Sequence, residues 1–215
     1  MIITVDGPSG SGKSSTARLL AKKLGALYLD TGAMYRAVTL AALEKGINPS
    51  DEESLEKLAG GISITFEDDG SVQKTFINGR DRSRDIRTHR VNLAVSQVSA
   101  CIGVRTELVE RQRRIARGKP ELVAEGRDTG SVVFPDADMK IYLTADEKER
   151  ATRRYAQANA KPEDTDKIAA NIAARDTIDS TRKTSPLKIP DGAVIIDNTR
   201  LSLDETLQKI IRLIA

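Results

Sequence analysis

The amino-acid sequence predicts an α/β protein built on a doubly wound parallel sheet. Short apolar strands alternate with segments of helical periodicity along most of the chain. A glycine-rich loop joins the first of these strands to the first helix. The 215 residues suffice for one such domain with an inserted segment.

The first strand is predicted at residues 1–6, where β-branched residues predominate until Gly-Pro ends the run. A helix follows from Lys13, with lysines in its last turn and Gly25 at its C-terminal cap. The connecting loop matches the G-x-x-x-x-G-K-[S/T] phosphate-binding pattern and reads Gly7-Pro8-Ser9-Gly10-Ser11-Gly12-Lys13-Ser14.

This loop predicts nucleotide chemistry. Its backbone N–H groups are expected to wrap phosphate oxygens at the helix N-terminus. Lys13 is expected to reach the β- and γ-phosphates, and the Ser14 hydroxyl is expected to bind Mg²⁺. The strand–loop–helix context argues against the alternative of a chance glycine/serine turn that contains a lysine.

The remaining elements continue the alternation, with one interruption. Apolar runs predict core strands at residues 27–30, 122–124, 141–143 and 193–196. Apolar periodicity predicts helices at residues 33–45, 51–58, 91–102, after Gly103, at 146–160, at 164–181 and after the Ser202–Glu205 capping box. The interruption is a β-hairpin of strands 62–67 and 72–77 with a turn at 68–71, followed by an irregular connector at 80–90.

Ligands of such folds bind beyond the carboxyl ends of the strands. The loops that begin at Gly7, Asp30, Glu125 and Asp197 should therefore gather at one edge of the sheet. The segment Asp30-Thr31-Gly32 is expected to form a turn there, and the loop after Asp197 is expected near the adenine. Arg127 and Asp128 also follow a strand end, although an ordinary exposed ion pair is the alternative.

Two predicted helices carry arginine clusters. Arg175, Asp179 and Arg182 are spaced i, i+4 and i+7 and share one helix face. Two arginines around one carboxylate favour an anion site, and a surface ion-pair ladder is the alternative. The other cluster comprises Arg150, Arg153 and Arg154, for which a solvated helix face is the alternative.

Composition excludes several classes of protein. The net charge of +3 is well mixed, and aromatic residues make up 3% of the chain with no Trp, so a nucleic-acid stacking platform is not expected. One cysteine, Cys101, excludes an internal disulfide, and the lone His89 has no companion residue, so we expect no metal-binding role for it. With no long apolar run and no leader, we expect a cytoplasmic protein that binds no membrane.

The cations suit transfer of a γ-phosphoryl group to a second phosphate. Such a reaction needs positioning and charge neutralisation more than a covalent nucleophile. No Asn-Lys-x-Asp guanine motif is present. The candidate cations, besides Mg²⁺ and the arginines at 150–154, are Lys13, Arg36, Arg127 and Arg182.

Together the motifs resemble those of bacterial cytidylate kinases, nearly end to end and in the family's order. The segments that carry the resemblance are the phosphate loop, Asp30-Thr-Gly-Ala-Met-Tyr-Arg36, Ser96-Gln-Val, Glu125-Gly-Arg-Asp128-Thr-Gly-Ser-Val-Val-Phe-Pro-Asp136-Ala and Arg175-Asp-x-x-Asp179-x-x-Arg182.

The resemblance implies a three-layer P-loop nucleoside monophosphate kinase fold. It has a parallel five-stranded sheet, a monophosphate-binding insert that contains the hairpin, and a short helical lid. The implied boundaries are a core at 1–32, 96–147 and 166–215, an insert at 33–95 and a lid at 148–165. The implied activity is Mg²⁺-dependent phosphorylation of CMP and dCMP by ATP, carried out by a monomer.

The resemblance also implies roles for individual residues. The catalytic residues are Lys13, Arg127, Arg153 and Arg182. ATP is bound by the loop residues Gly7 through Ser14 together with Ser15, Arg150 and Arg154. CMP is bound through its phosphate by Arg36, Arg127 and Arg182, through cytosine by Ser96, Arg105 and Asp128, through ribose by Arg175 and Asp179, and by Thr31. Glu125, which is Asp in some relatives, would order the water shell of the metal.

Three alternatives stay open at this point. One is a UMP/CMP kinase of broader specificity, and another is a small-metabolite kinase on the same scaffold. The third, from a different class, is a regulatory NTP-binding module without catalysis.

Overall fold

The computed structural model describes residues 1–68, 73–158 and 165–214. The strands are β1 Ile2–Asp6, β2 Leu27–Asp30, β3 Ile64–Asp68, β4 Gln73–Ile77, β5 Arg80–Asp81, β6 Leu122–Gly126, β7 Met139–Thr144 and β8 Val194–Asp197. The helices are α1 Lys13–Leu24, α2 Thr31–Glu44, α3 Glu52–Gly61, α4 His89–Ala100, α5 Ile102–Ala116, α6 Glu147–Ala158, α7 Thr165–Thr181 and α8 Leu203–Ile214.

The chain divides into two units. The first comprises Met1–Leu29 and Lys119–Ala215, and the second comprises Asp30–Gly118. The second unit includes residues 96–118. Residues 69–72 and 159–164 lie outside the described ranges. They include most of the predicted hairpin turn, the end of the helix at 146–160, the start of the helix at 164–181 and a third of the predicted lid.

The first unit contains a parallel five-stranded sheet in the order β2-β6-β1-β7-β8 with flanking helices, so the predicted fold class is confirmed. β1 lies at its centre and pairs in parallel with β6 and β7. In this register Asp6 lies beside Gly126 and Tyr142. The phosphate loop and the Arg127–Asp128 segment therefore leave the sheet at the same edge.

The core of the first unit fills the space between the sheet and α1 and α8. The neighbouring strands β1 and β6 are almost entirely buried, as expected for parallel strands covered on both faces, whereas the edge strand β8 is mostly exposed. Helix α1 contributes Ala17, Leu20 and Ala21, and α8 contributes Leu207 and Ile210. This packing holds α1 against the sheet directly after the phosphate loop.

The second unit combines helices α2–α5 with a small antiparallel sheet in the order β3-β4-β5. The predicted hairpin is confirmed, with Ile64 opposite Ile77. β5 was not predicted, because a strand of Arg80 and Asp81 carries no apolar signal. The sequence feature that indicates this strand is the preceding Asn78-Gly79 pair. Both residues have positive φ, as a two-residue hairpin loop requires.

Two helix boundaries differ from the predictions. The segment Asp30-Thr31-Gly32 is not a free turn but the start of α2, because the Asp30 side chain accepts a hydrogen bond from Ala33 N at 2.9 Å. Helix α5 begins at Ile102 and includes Gly103, which was expected to precede it. No helix in the described part of the chain is long and apolar enough to span a membrane.

Candidate active site

The phosphate loop lies against the backbone of neighbouring elements. A Cβ built on Gly7 would be 2.1 Å from the Leu143 carbonyl oxygen, and one on Gly10 would be 2.7 Å from the Arg150 carbonyl oxygen. Gly10 also has φ +78°. Because both obstacles are backbone atoms, only glycine allows the loop to approach β7 and α6 this closely.

Lys13 is buried at the start of α1, where its Nζ donates to the Pro8 carbonyl oxygen at 3.1 Å. Burial, reinforced by the charge of Arg127, lowers the pKa of Lys13 to about 7, although the Glu125 carboxylate opposes the shift. A buried ammonium with this pKa needs a further negative charge to remain protonated. A nucleotide phosphate in the loop would supply that charge.

The side-chain oxygens of Ser14 and Glu125 lie next to each other at the end of the phosphate loop. The Ser14 hydroxyl donates to Glu125 Oε1 at 2.6 Å, and the Tyr28 hydroxyl donates to the same oxygen at 3.3 Å. Mg²⁺ typically binds through one or two such groups together with substrate phosphates. No group of three or more His, Cys, Asp or Glu side chains within the described ranges is placed to hold a metal. A hydroxyl next to a carboxylate suits a metal that arrives with phosphate groups.

The arginines of α6 contact the phosphate loop, so a solvated face is the wrong interpretation for Arg150 and Arg153. Arg150 is 7% exposed and donates from NH1 to the Ser9 carbonyl oxygen at 2.8 Å. Arg153 donates from NH1 to Asn198 Oδ1 at 2.9 Å and from NH2 to the Asn198 carbonyl oxygen at 2.8 Å. Arg154 is half-buried.

Asp179 is the centre of a buried arginine cluster. Arg127 Nε donates to Asp179 Oδ2 at 2.9 Å, Arg175 Nε lies 3.7 Å from the same oxygen, and Arg182 NH1 lies 3.6 Å from Oδ1. Burial alone would raise the pKa of Asp179, but these three cations hold it below its usual value. The surface-ladder interpretation is therefore wrong, since the Asp179 side chain is only 4% exposed.

Arg127 and Asp128 are likewise not an ordinary exposed pair. The Asp128 side chain is 6% exposed and lies 3.5 Å from Arg182 NH2. Burial alone would lower the pKa of Arg127, but the Asp179 carboxylate raises it. Three guanidinium groups around Asp128 and Asp179 leave a surplus of positive charge, which is the condition for binding an anion.

Asp6 fixes the segment that follows Asp128. It is fully buried, and its carboxylate accepts hydrogen bonds from Thr129 N at 2.9 Å, Thr129 Oγ1 at 2.7 Å and Gly130 N at 2.7 Å. Burial outweighs these hydrogen bonds and raises the pKa of Asp6. Residues Thr129–Val133 form a wide helical turn on this anchor, which the sequence did not predict.

The other predicted CMP residues belong to the second unit. Arg36 is 8% exposed, and its NH1 donates to Asn92 Oδ1 at 2.6 Å. Arg105 donates from NH1 to the Ser99 carbonyl oxygen at 2.9 Å and stacks over the Tyr35 ring at 5.1 Å from its centroid. Thr31 and Ser96 are also buried there.

Three residues that hold the loops have no role among the sequence predictions. Asp6 anchors the segment after β6, Asp176 accepts from Ser9 N at 2.8 Å, and Asn198 donates from Nδ2 to the Ser11 carbonyl oxygen at 3.0 Å. Asn198 could have been found, because it follows the last parallel strand and so shares the ligand edge. Asp176 has no local signal, because its contact joins residues far apart in sequence.

The parallel sheet and its phosphate loop define an α/β nucleotide-binding protein of the P-loop class. A model of the cytidylate kinase family matches residues 3–215. The chain belongs to the cytidylate kinase family, and the resemblance predicted from its motifs is confirmed.

Individual relatives agree with this placement. The chain is 43% identical over 217 residues to a cytidylate kinase from Rhodococcus opacus strain B4, covering 100% of this chain and 95% of that protein. It is 45% identical over 210 residues to a cytidylate kinase from Geobacter sp. strain M21, covering 97% of this chain and 90% of that protein. A solved structure of an uncharacterized protein from Eubacterium ventriosum ATCC 27560 has a TM-score of 0.56 at 11% identity, covers 100% of this chain and 98% of that chain, and shows the fold alone.

Proposed function

We propose that this protein transfers the γ-phosphoryl group of ATP to CMP and dCMP, which yields CDP and dCDP. The observation that carries the proposal is a buried arginine cluster that lies within electrostatic range of the phosphate-loop lysine, in the same unit. The charges of Arg127 and Arg175, in the cluster around Asp179, lower the pKa of Lys13 in the phosphate loop. A donor phosphate at Lys13 and an acceptor phosphate at Arg127 would neutralise these mutually repelling cations.

The acceptor needs no general base in this proposal. The second pKa of a phosphate monoester is about 6, so the attacking phosphate oxygen is already ionised at neutral pH. Catalysis then consists of holding donor and acceptor in line and offsetting the charge of the transferred group. Lys13, Arg127 and Arg182 would supply positive charge, while Arg175 and Asp179 would hold the ribose.

Ser14 and Glu125 fit the Mg²⁺ that accompanies ATP. The hydroxyl would bind the metal directly, and the carboxylate 2.6 Å away would accept hydrogen bonds from its water shell. When bound, Mg²⁺ would neutralise charge on the β- and γ-phosphates. The α6 arginines would support the donor side, Arg150 and Arg153 through the loop and Arg154 near Arg175.

The base would be read by Ser96, Asp128 and Arg105. Ser96 and Asp128 can accept from the cytosine amino group, whereas Arg105 carries only donors and suits N3 or the C2 carbonyl. Uracil presents an N–H at N3 and a carbonyl at C4, so it would leave buried polar groups facing like partners. Arg36 and Thr31 complete the proposed CMP-binding set. The division into a core, a CMP-binding insert at 33–95 and a lid at 148–165 is part of the same proposal.

The test is a coupled assay of ADP formation with Mg²⁺-ATP and one nucleoside monophosphate at a time. We expect rapid turnover with CMP and dCMP and much slower turnover with UMP, AMP and GMP. Equal rates with UMP and CMP would replace the proposal with a kinase of broader specificity. Slow ATP hydrolysis that no monophosphate stimulates would instead indicate a binding module.

A further inference from the structure

One ion pair holds both the backbone N–H and the backbone carbonyl of Ser9. Ser9 N donates to Asp176 Oδ1 at 2.8 Å, and Arg150 NH1 donates to the Ser9 carbonyl oxygen at 2.8 Å. The same Arg150 nitrogen is paired with Asp176 Oδ2. Ser9, Asp176 and Arg150 therefore form a closed ring of three contacts, which we call the Ser9 clasp.

The Ser9 clasp is shielded from water. The Arg150 and Asp176 side chains are 8% and 17% exposed. Arg150 is ion-paired with Asp176, and its Nε is buried with no hydrogen-bond partner. Loss of one member of such a pair leaves the other charge uncompensated, which makes the pair costly to break.

The Ser9 clasp also joins three elements of the first unit. Ser9 lies in the phosphate loop, Arg150 in α6 and Asp176 in α7. In α7, Asp176 lies between Arg175 and Asp179, which belong to the buried arginine cluster. The carboxylate therefore connects the loop to the helix that carries the proposed ribose-binding residues.

We propose that Asp176 is a positioning residue for the phosphoryl donor, acting through Ser9 and Arg150. The inference rests on the proposed function to the extent that the loop binds ATP. A glycine-rich loop binds phosphate well only when its amides are already oriented, and the Ser9 clasp fixes the middle of the loop before the nucleotide arrives. Asp176 touches no reacting atom in this account.

The experiment compares Asp176→Asn, Asp176→Ala and the control Asp204→Asn, which removes an exposed carboxylate from α8. ATP affinity is titrated directly in the absence of CMP, CMP affinity is titrated separately, and unfolding is followed by circular dichroism. We expect Asp176→Asn to weaken ATP binding about tenfold through loss of a charge-assisted contact, and Asp176→Ala to weaken it at least as much. CMP affinity should change less than about twofold, and the control should match the parent protein.

Each outcome decides the proposal. Folded variants with a lowered Tm but unchanged ATP affinity would overturn it, because Asp176 would then only pack α7. Equal losses of ATP and CMP affinity would overturn it too. If Asp176→Ala does not fold, the ATP affinity of the isosteric Asp176→Asn decides between these outcomes. A parent protein that binds ATP but phosphorylates no CMP contradicts the proposed function alone, whereas one that binds no ATP contradicts both.

Discussion

The Ser14 hydroxyl donates to the Glu125 carboxylate over 2.6 Å, which pairs the proposed Mg²⁺ ligand with its closest carboxylate. Replacement of Glu125 by Ala should raise the Mg²⁺ concentration for half-maximal activity about tenfold, the lower end of effects seen for such supporting groups. Rates at fixed ATP and varied free Mg²⁺ would measure this. Tyr28→Phe, which removes the 3.3 Å bond to Glu125, is the matched control and should change the required Mg²⁺ concentration less. If the Mg²⁺ dependence of Glu125→Ala equalled that of the parent protein, Glu125 would have no role in metal binding.

Lys13→Ala should lower kcat by about 10²-fold or more, because the ammonium stabilises charge on the moving phosphoryl group. CMP affinity should stay nearly unchanged, since Lys13 serves the donor. Steady-state kinetics with CMP, combined with direct CMP titration, would check both statements. Near-parental turnover would remove Lys13 from the mechanism.

ATP binding should take up protons above neutral pH. Lys13 has a pKa of about 7 in the free protein, so at pH 8 it is mostly neutral, and bound phosphates would favour its ammonium form. Uptake should approach about one proton per ATP at pH 8 and fall toward zero at pH 6, where Lys13 is already charged. Calorimetry in buffers of different ionisation enthalpy would measure the uptake. The Lys13→Ala protein provides the baseline, and identical uptake in both proteins would assign the proton elsewhere.

Asp179→Ala should weaken CMP binding by about ten- to hundredfold, through lost hydrogen bonds to a charged group worth about 1.5–3 kcal/mol in total. ATP affinity should be nearly unaffected. Inorganic phosphate, which has no ribose, should bind at least as well, because three cations would surround the vacated position. Glu110→Ala breaks an exposed i,i+4 pair with Arg114 and should alter none of these affinities. Parallel losses for CMP, ATP and phosphate would mark Asp179 as structural.

Arg105→Met should narrow the preference for CMP over UMP. The Arg105 guanidinium is held by Ser99 and Tyr35, so its donors are fixed before any base binds. Its removal should reduce kcat/KM for CMP far more than for UMP, because only cytosine offers acceptors at both N3 and C2. Competition between the two nucleotides would give the ratio directly. If the ratio of kcat/KM for CMP to kcat/KM for UMP equalled that of the parent protein, Arg105 would have no role in base selection.

The features that the sequence predicted well are encoded in contiguous motifs or in the alternation of strands and helices. The phosphate loop is contiguous, and the strand ends at Asp6 and Gly126 could be placed at one edge because parallel strands share their direction. The turn at Asn78-Gly79 was also local, but the charged strand after it hid the signal.

What the sequence could not supply depends on residues far apart in the chain. The turn at Thr129–Val133 is fixed by Asp6, and the middle of the phosphate loop is fixed by Asp176. Neither contact follows from periodicity or spacing, because each needs the folded arrangement of separate elements. The choice between an exposed ladder and a buried cluster at Asp179 likewise required the position of Arg127.

The glycines of the phosphate loop limit how this loop can be varied in the laboratory. At Gly7 and Gly10 an added carbon meets carbonyl oxygens of β7 and α6, which cannot rotate away as a side chain would. At Gly12 the nearest atoms are side-chain nitrogens of Asn198 and Arg153 at 3.5 and 3.7 Å, an ordinary contact distance. A library randomised over residues 7–12 should therefore return glycine almost invariably at positions 7 and 10. At Gly12, whose φ is +87°, asparagine should survive as a rare substitute, because it tolerates positive φ better than most residues do.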